Sequence, residues 1–424
     1  MAITRRYFLK SAGLSLFGVG FVPSFLRRTA FAIEKPALNS HKKILVAIFM
    51  RGAADGLNIV VPYGEKDYYK MRPTIAIPKP GGGDKNEAAI DLDGFFGFHP
   101  RLDALKPIFD ARHLAVIEAV GSPDNTRSHF DAQDYMETAT PGDKSTRDGW
   151  LNRYLRYSSE TDATPFRAVA AAPRMPLTLQ GAARALAIDN LKTFRLRVNP
   201  DRPEMAGLES AFQALYASTS DPLLSSTARE MFSAAQTLQQ IQSHDYLPEN
   251  GANYPPGPFG RHMQEIAQLI KSDVGLEVAF VDVGGWDHHV QEGGIQGRLA
   301  GLLKEFGDSL AAFYQDMGDR MADVVVLTMS EFGRTARENG NRGTDHGHAN
   351  VMFAMGGPVK GGKIYGQWPG LKPDQLNQDR DLALTADFRD VFAEVVTLHL
   401  GTPNPSGIFP GFNVSPGRFC GFLG

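Results

Sequence analysis

Four of the chain's 11 histidines fall in two short glycine-bracketed segments, Gly284-Gly285-Trp286-Asp287-His288-His289 and Gly343-Thr344-Asp345-His346-Gly347-His348. In extended chain, residues two apart point the same way, so Asp287 with His289, and His346 with His348, can each aim two donors at one point. Asp, Glu and His without cysteine suit Zn²⁺ or Mn²⁺, with Mg²⁺ and Ca²⁺ less favoured by the histidines. His41, His99, His113, His244, His262 and His399 stand apart from these clusters and read as core or surface residues. A further glycine-bracketed run, Arg51 to Asn58, carries Asp55. The run Gly121 to Asp131 carries Thr126 and Ser128 just ahead of helically spaced residues. At a helix N-terminus, free N–H groups favour an anion and a metal lowers a hydroxyl pKa, which would make either residue a nucleophile. The same position suits simple N-capping. Arg127 and Arg334 have the fork shape that clamps phosphate or sulfate, and equally the shape that makes a structural ion pair.

These segments follow apolar runs of strand length: Lys43 to Phe49, Leu114 to Val120, Leu276 to Val283, Asp323 to Thr328 and, after the last cluster, Val351 to Met355. Between them lies helical spacing over Arg101 to Ala111, Ser128 to Glu137, Phe259 to Lys271, Ile295 to Arg320 and Ala386 to Leu400. Strands without polar alternation, separated by helices, predict an α/β fold with a parallel sheet buried on both faces. In such a sheet the loops after the strands share one edge, where ligands bind. The clusters therefore converge. Residues from about 170 to 258 carry helical patterns near Glu204 to Tyr216 and Pro222 to Gln242 and few strand runs, which predicts a helical cap or insertion. No repeat of 20 to 50 residues is visible.

The 424 residues carry 44 Lys plus Arg and 47 Asp plus Glu, a net charge of −3, so nothing points to nucleic acid. With 42% hydrophobic and 21% charged residues the composition is globular. The one cysteine, Cys420, cannot form an internal disulfide. Residues 1–32 pair Arg5-Arg6 and Phe8-Leu9-Lys10 with an apolar stretch from Ser11 to Leu26 and end in Ala30-Phe31-Ala32. That is the pattern of a cleavable export signal, and the arginine pair resembles the twin-arginine address read by a translocase. Cleavage would remove five positive charges and no negative ones, taking the net charge from −3 to −8. Residues 33–424 would then be a periplasmic or secreted protein with no stable membrane span.

The mature chain resembles, nearly end to end, the exported bacterial family called domain of unknown function fifteen-oh-one, grouped with the alkaline phosphatase and sulfatase superfamily. RGAADGLNIVVPY, GSPDNTRSHFDAQDYME, GGWDHH and LTMSEFGRTARENGNRGTDHGHANVMFAMGG carry the resemblance. It implies a three-layer α/β/α sandwich with a mostly parallel sheet, divalent metal, and a hydroxyl nucleophile acting on phosphate or sulfate esters of small molecules or polymers. By the same resemblance Asp55 stands for the first-strand metal Asp, Asp287 with His289 for the Asp-His pair, and His346 and His348 for the last metal histidine. His288 replaces the family's Thr. Where the superfamily has an Asp-His pair after a strand, this chain has Ser330-Glu331-Phe332, so Glu331 and Asp345 complete the candidate ligands for one or two ions. Arg127 and Arg334 would stabilise developing charge. Two alternatives share the pocket: a non-catalytic binding or assembly protein on a degenerate phosphatase-like fold, and lyase or transferase chemistry.

Overall fold

The apolar runs become strands because β-branched and aliphatic residues without polar alternation fill both faces of a pleated sheet. In chain order the strands are β1 (Ile44–Met50), β2 (Val60–Val61), β3 (Ile90–Asp91), β4 (Gly97–Phe98), β5 (Leu114–Gly121), β6 (Ala168–Ala171), β7 (Leu186–Ala187), β8 (Val278–Val283), β9 (Val324–Met329), β10 (Asn350–Gly356), β11 (Lys363–Tyr365) and β12 (Ala386–Asp387). The computed structural model describes residues 43–81, 87–158, 164–191, 233–238, 241 and 246–424. The expected export signal at 1–32 and the expected helix over Glu204 to Tyr216 lie outside the described residues. Of the segment Pro222 to Gln242, the described part, 233–238 and 241, is helical. The 170–258 stretch also contributes strand: β6 enters it and β7 lies within it, both in the main sheet.

Nine strands form that sheet in the order β11-β5-β10-β9-β1-β8-β6-β7, with β12 continuing the edge beside β5. Every pairing is parallel except the two made by β10, which runs antiparallel to both β9 and β5. The sheet is thus mixed rather than parallel throughout. β9 and β10 are joined by residues 330–349 without a crossover helix, and such a connection can only return antiparallel. Its consequence is that this whole loop stays on the edge where β1, β5, β8 and β9 end. A second, small antiparallel sheet has the order β2-β4-β3.

Strand alternation divides the core in two. On β1, Ile44, Val46, Ile48 and Met50 face one cluster, which includes Phe259, Met263 and Ile266 of the helix Pro258–Lys271 and Leu299, Leu303, Phe306 and Leu310 of the helix Arg298–Met317. Leu45, Ala47 and Phe49 face the other, which includes Met136 of the helix His129–Thr138, Trp150 and Leu151 of Trp150–Tyr157, and Phe388 and Phe392 of Phe388–Glu394. Helices therefore cover both faces, giving a three-layer α/β/α sandwich. Each such side chain contributes on the order of 1.5–3 kcal/mol by leaving water, so the two layers fix the strand ends rigidly. Among the described residues no helix is long and apolar enough to cross a membrane.

Candidate metal centre

Four loops meet above the carboxyl ends of the central strands: 51–55 after β1, 122–129 after β5, 284–289 after β8 and 330–349 after β9. Their backbones approach closely enough to demand glycine. Gly52 has φ +119°, and a Cβ there would lie 2.7 Å from the Asp287 nitrogen. At Gly347 a Cβ would lie 2.3 Å from the carbonyl of Arg334. Gly52 lets the loop after β1 pass against Asp287, and Gly347 lets the 330–349 loop fold back on itself beside His346, so larger residues would push the cluster apart.

Three imidazoles turn toward one carboxylate oxygen. His289 Nε2 lies 3.1 Å from Asp287 Oδ1, and the Nε2 atoms of His129 and His346 each lie 3.7 Å from it. His289 and His346 bring their Nε2 atoms within 2.9 Å of each other. Each ring is held from behind. His129 Nδ1 donates to Glu331 Oε1 at 2.8 Å, His289 Nδ1 to Asp345 Oδ1 at 3.0 Å, and His346 Nδ1 to the carbonyl of Arg127 at 2.7 Å. Carboxylates and carbonyls accept only, so each Nδ1 carries a proton, and in the neutral ring each Nε2 presents a lone pair. That is how proteins orient metal-ligating histidines.

A tetrahedral ion with bonds of about 2.0–2.1 Å sets its ligands about 3.3 Å apart. The spacings of 2.9 to 3.7 Å from Asp287 to the three histidines and between His289 and His346 fit that donor set, and His129, Asp287 and His346 all bring a donor within 4.8 Å of one another. The buried Nε2 of His129 has no hydrogen-bond partner, which an ion among His129, Asp287, His289 and His346 would supply. Asp287 and His289 keep about half and two-fifths of their side chains exposed, so the centre is open to a substrate.

The surrounding charges are tuned by burial and by fixed partners. Burial raises the Asp287 carboxyl, but hydrogen bonding and the charge of Arg334 outweigh it and hold it below its ordinary range. Burial likewise opposes ionisation of Glu331, which the hydrogen bonds from His129, Gln133 and the Gly52 N–H reverse. His129 is raised chiefly by its hydrogen bond to Glu331, and His346 is lowered by burial.

Of the residues singled out from sequence, Asp287, His289 and His346 lie in the cluster, while Glu331 and Asp345 stand one step behind it on histidine Nδ1 atoms. Asp55 does not join them. It is buried in a two-point ion pair with Arg72, whose Nη2 lies 2.9 Å from Oδ1 and whose Nη1 meets Oδ2. His348 is nine-tenths buried and outside the cluster, since the chain bends there and its carbonyl accepts the Gly333 N–H. Ser128 caps the helix His129–Thr138 through the Asp131 N–H, and Thr126 Oγ1 accepts the Ser128 N–H. Arg127 is bound to Asp381 at 2.6 Å and to Gln378.

Arg334 is fully buried and spends its donors inward, on the carbonyls of Gly52, Ala53, Trp286 and Thr344 and on Asp287 Oδ1 at 2.7 Å. It is a clasp for three loops and does not face a substrate. Sequence reasoning missed His129: Asp131 stands two residues on, but both lie in the first turn of a helix, where residues two apart diverge, and Asp131 pairs with Lys144 instead. Its signal was its place just after a strand end. It also missed Arg72 and Gln133. Gln133 donates to Glu331 at 2.9 Å and accepts from Arg51 at 3.0 Å.

A family model described as "Protein of unknown function (DUF1501)" matches residues 114–405. Among solved structures, the PsFucS1 sulfatase from Pseudoalteromonas sp. is similar at a TM-score of 0.35 and 11% identity, over 85% of this chain and 68% of that one. No curated protein matches the sequence.

Proposed function

From a chain that belongs to the family described as "Protein of unknown function (DUF1501)", with all four cluster residues inside the matched span, we propose an exported hydrolase of phosphate or sulfate esters that depends on a divalent metal. One observation carries the reading: three histidine Nε2 lone pairs, each fixed by an acceptor on Nδ1, converge on a carboxylate oxygen in an open cleft. Without a metal ion, the 2.9 Å contact between the Nε2 atoms of His289 and His346 needs a proton between them, and a bound ion would take that proton's place.

His129, Asp287, His289 and His346 would hold Zn²⁺ or Mn²⁺. When bound, the ion supplies Lewis-acid polarisation of the ester oxygen and lowers the pKa of an attacking oxygen. Glu331, Asp345 and the Arg127 carbonyl keep the rings in the metal-ready tautomer. Thr126 and Ser128, the hydroxyls just ahead of His129, are the proposed nucleophiles. Ser128 Oγ stands at the start of a helix, where backbone N–H groups stabilise an anionic transition state. The hydroxyl oxygen would attack phosphorus or sulfur in line, the alcohol would leave, and water would then release phosphate or sulfate. Export through the twin-arginine translocase by residues 1–32 would place this activity in the periplasm or outside the cell.

The test is metal content by elemental mass spectrometry together with hydrolysis of nitrophenyl phosphate, bis(nitrophenyl) phosphate and nitrophenyl sulfate. Wild type should carry metal and cleave at least one ester, and His129→Ala and Asp287→Ala should lose both. Hydrolysis that persists in the metal-free variants would refute the reading.

A further inference from the structure

We propose that this centre holds one divalent ion per chain, because two buried guanidiniums, those of Arg334 and Arg72, occupy the places that a second ion would need. The inference rests on the metal-dependent reading above and narrows its ion count. In a two-metal site the ions lie about 3.5–4 Å apart and share ligands. Of the carboxylates near the cluster, Asp55 has both oxygens on Arg72, while Asp287 Oδ1 and Glu331 Oε1 are each held by fixed donors. Glu292, buried beside Asp55, accepts from Thr344 Oγ1, and burial pushes its pKa well up, which disfavours the charged form.

Arg334 Nη2 sits 2.7 Å from Asp287 Oδ1, the oxygen on which the histidines converge. The flank of Asp287 where a bridging ion would bind is therefore filled. Arg334 is anchored by four backbone carbonyls and cannot swing away without opening three loops. Asp55 gives both oxygens to Arg72, and the pair is sealed, with Arg72 0% and Asp55 1% exposed. Arg72 is itself pinned by the carbonyls of Thr335 and Ala336 and by Asn58. Glu331 Oε1 accepts from Gly52 N, His129 Nδ1 and Gln133 Nε2, and Oε2 lies 3.2 Å from Ser330 Oγ, which donates to the nearer Met50 carbonyl at 2.8 Å. A guanidinium does not lose its proton in a protein, so both positive charges are permanent. They neutralise the carboxylates and repel a second cation from the same volume.

The experiment is the stoichiometry of the purified full chain, incubated with excess Zn²⁺ or Mn²⁺, desalted and measured by elemental mass spectrometry, with folding followed by circular dichroism. Wild type is expected to retain about one ion. Asp55→Asn should leave that count unchanged. Because that variant strands a buried Arg72, the double variant Asp55→Leu/Arg72→Met, which removes both charges, is measured beside it. About two ions in wild type would overturn the inference and leave the metal-dependent reading standing. Loss of the single ion in either folded Asp55 variant would also overturn it. No ion in wild type would overturn the metal-dependent reading itself, and is distinguished from the other failures by the count.

Discussion

Replacing Arg334 by Met keeps most of the side chain's packing volume while removing every hydrogen bond that it donates. The carbonyls of Gly52, Ala53, Trp286 and Thr344 then lose a donor, in buried surroundings for the last three and part-buried ones for Gly52. An orphaned buried acceptor costs about 1–3 kcal/mol, so at the low end the four together cost about 4 kcal/mol. The bond to Asp287 is left out of this sum, because that side chain is 48% exposed and water can replace the donor. Urea unfolding followed by tryptophan fluorescence is the assay, since Trp286 is fully buried and its carbonyl is one of the four. The expected result is a lower midpoint at unchanged slope, equivalent to about 4 kcal/mol. Arg334→Lys keeps the charge but has only three donors at one point, and should fall between wild type and Met. A loss below about 1 kcal/mol for Arg334→Met would mean that the carbonyls find other donors, and the clasp argument would fail.

Three other outcomes are expected. Glu331→Gln keeps the shape behind His129 but removes the carboxylate that makes Nε2 basic, so metal affinity should fall by about 10- to 100-fold; an unchanged affinity by competition with a chelator would show that Glu331 does not orient the ligand. Glu118 is 2% exposed, its Oε1 is unpartnered, and burial pushes its pKa well above the ordinary value. A carboxyl raised on folding favours the native state fully below its unfolded pKa of about 4.3, and that contribution falls by about 1.4 kcal/mol per pH unit as pH climbs toward the folded value. Wild type should therefore lose stability relative to Glu118→Gln as pH rises above about 4.3, and stability curves that stay parallel would contradict this. Finally, Arg5→Lys/Arg6→Lys should trap the protein unexported in cell fractionation, whereas normal export would remove the twin-arginine assignment.

The strand ends were readable because uninterrupted apolar runs stop where polar, glycine-rich loops begin, and both boundaries depend on local composition. Strand direction is not encoded that way. Val351 to Met355 reads as a buried strand whichever way it runs, and only the direct 330–349 connection makes β10 antiparallel. That reversal keeps Glu331, Arg334, Asp345 and His346 together on one edge, where a further parallel strand would have needed a crossover to the far side.

The ligand set was legible where donors are near in sequence and illegible where they meet through the fold. Asp287 and His289 are two apart and do converge. His346 and His348 have the same spacing, yet alternation holds only while the chain stays extended, and it bends at His348. His129 has Asp131 two residues on, but a helix turns the two apart, and its role comes from Glu331, 202 residues away, and Asp287, 158 away. Asp55 shows the converse. Its glycine-bracketed loop after a strand is what a metal Asp needs, but Arg72, 17 residues on, returns to the same pocket and takes both oxygens. Spacing can nominate a carboxylate as a ligand, but only its partner in the folded chain determines whether its charge is left for a metal. Here Arg72 takes both oxygens of Asp55, while Arg334 reaches only Oδ1 of Asp287, a half-exposed carboxylate on which the histidines also converge.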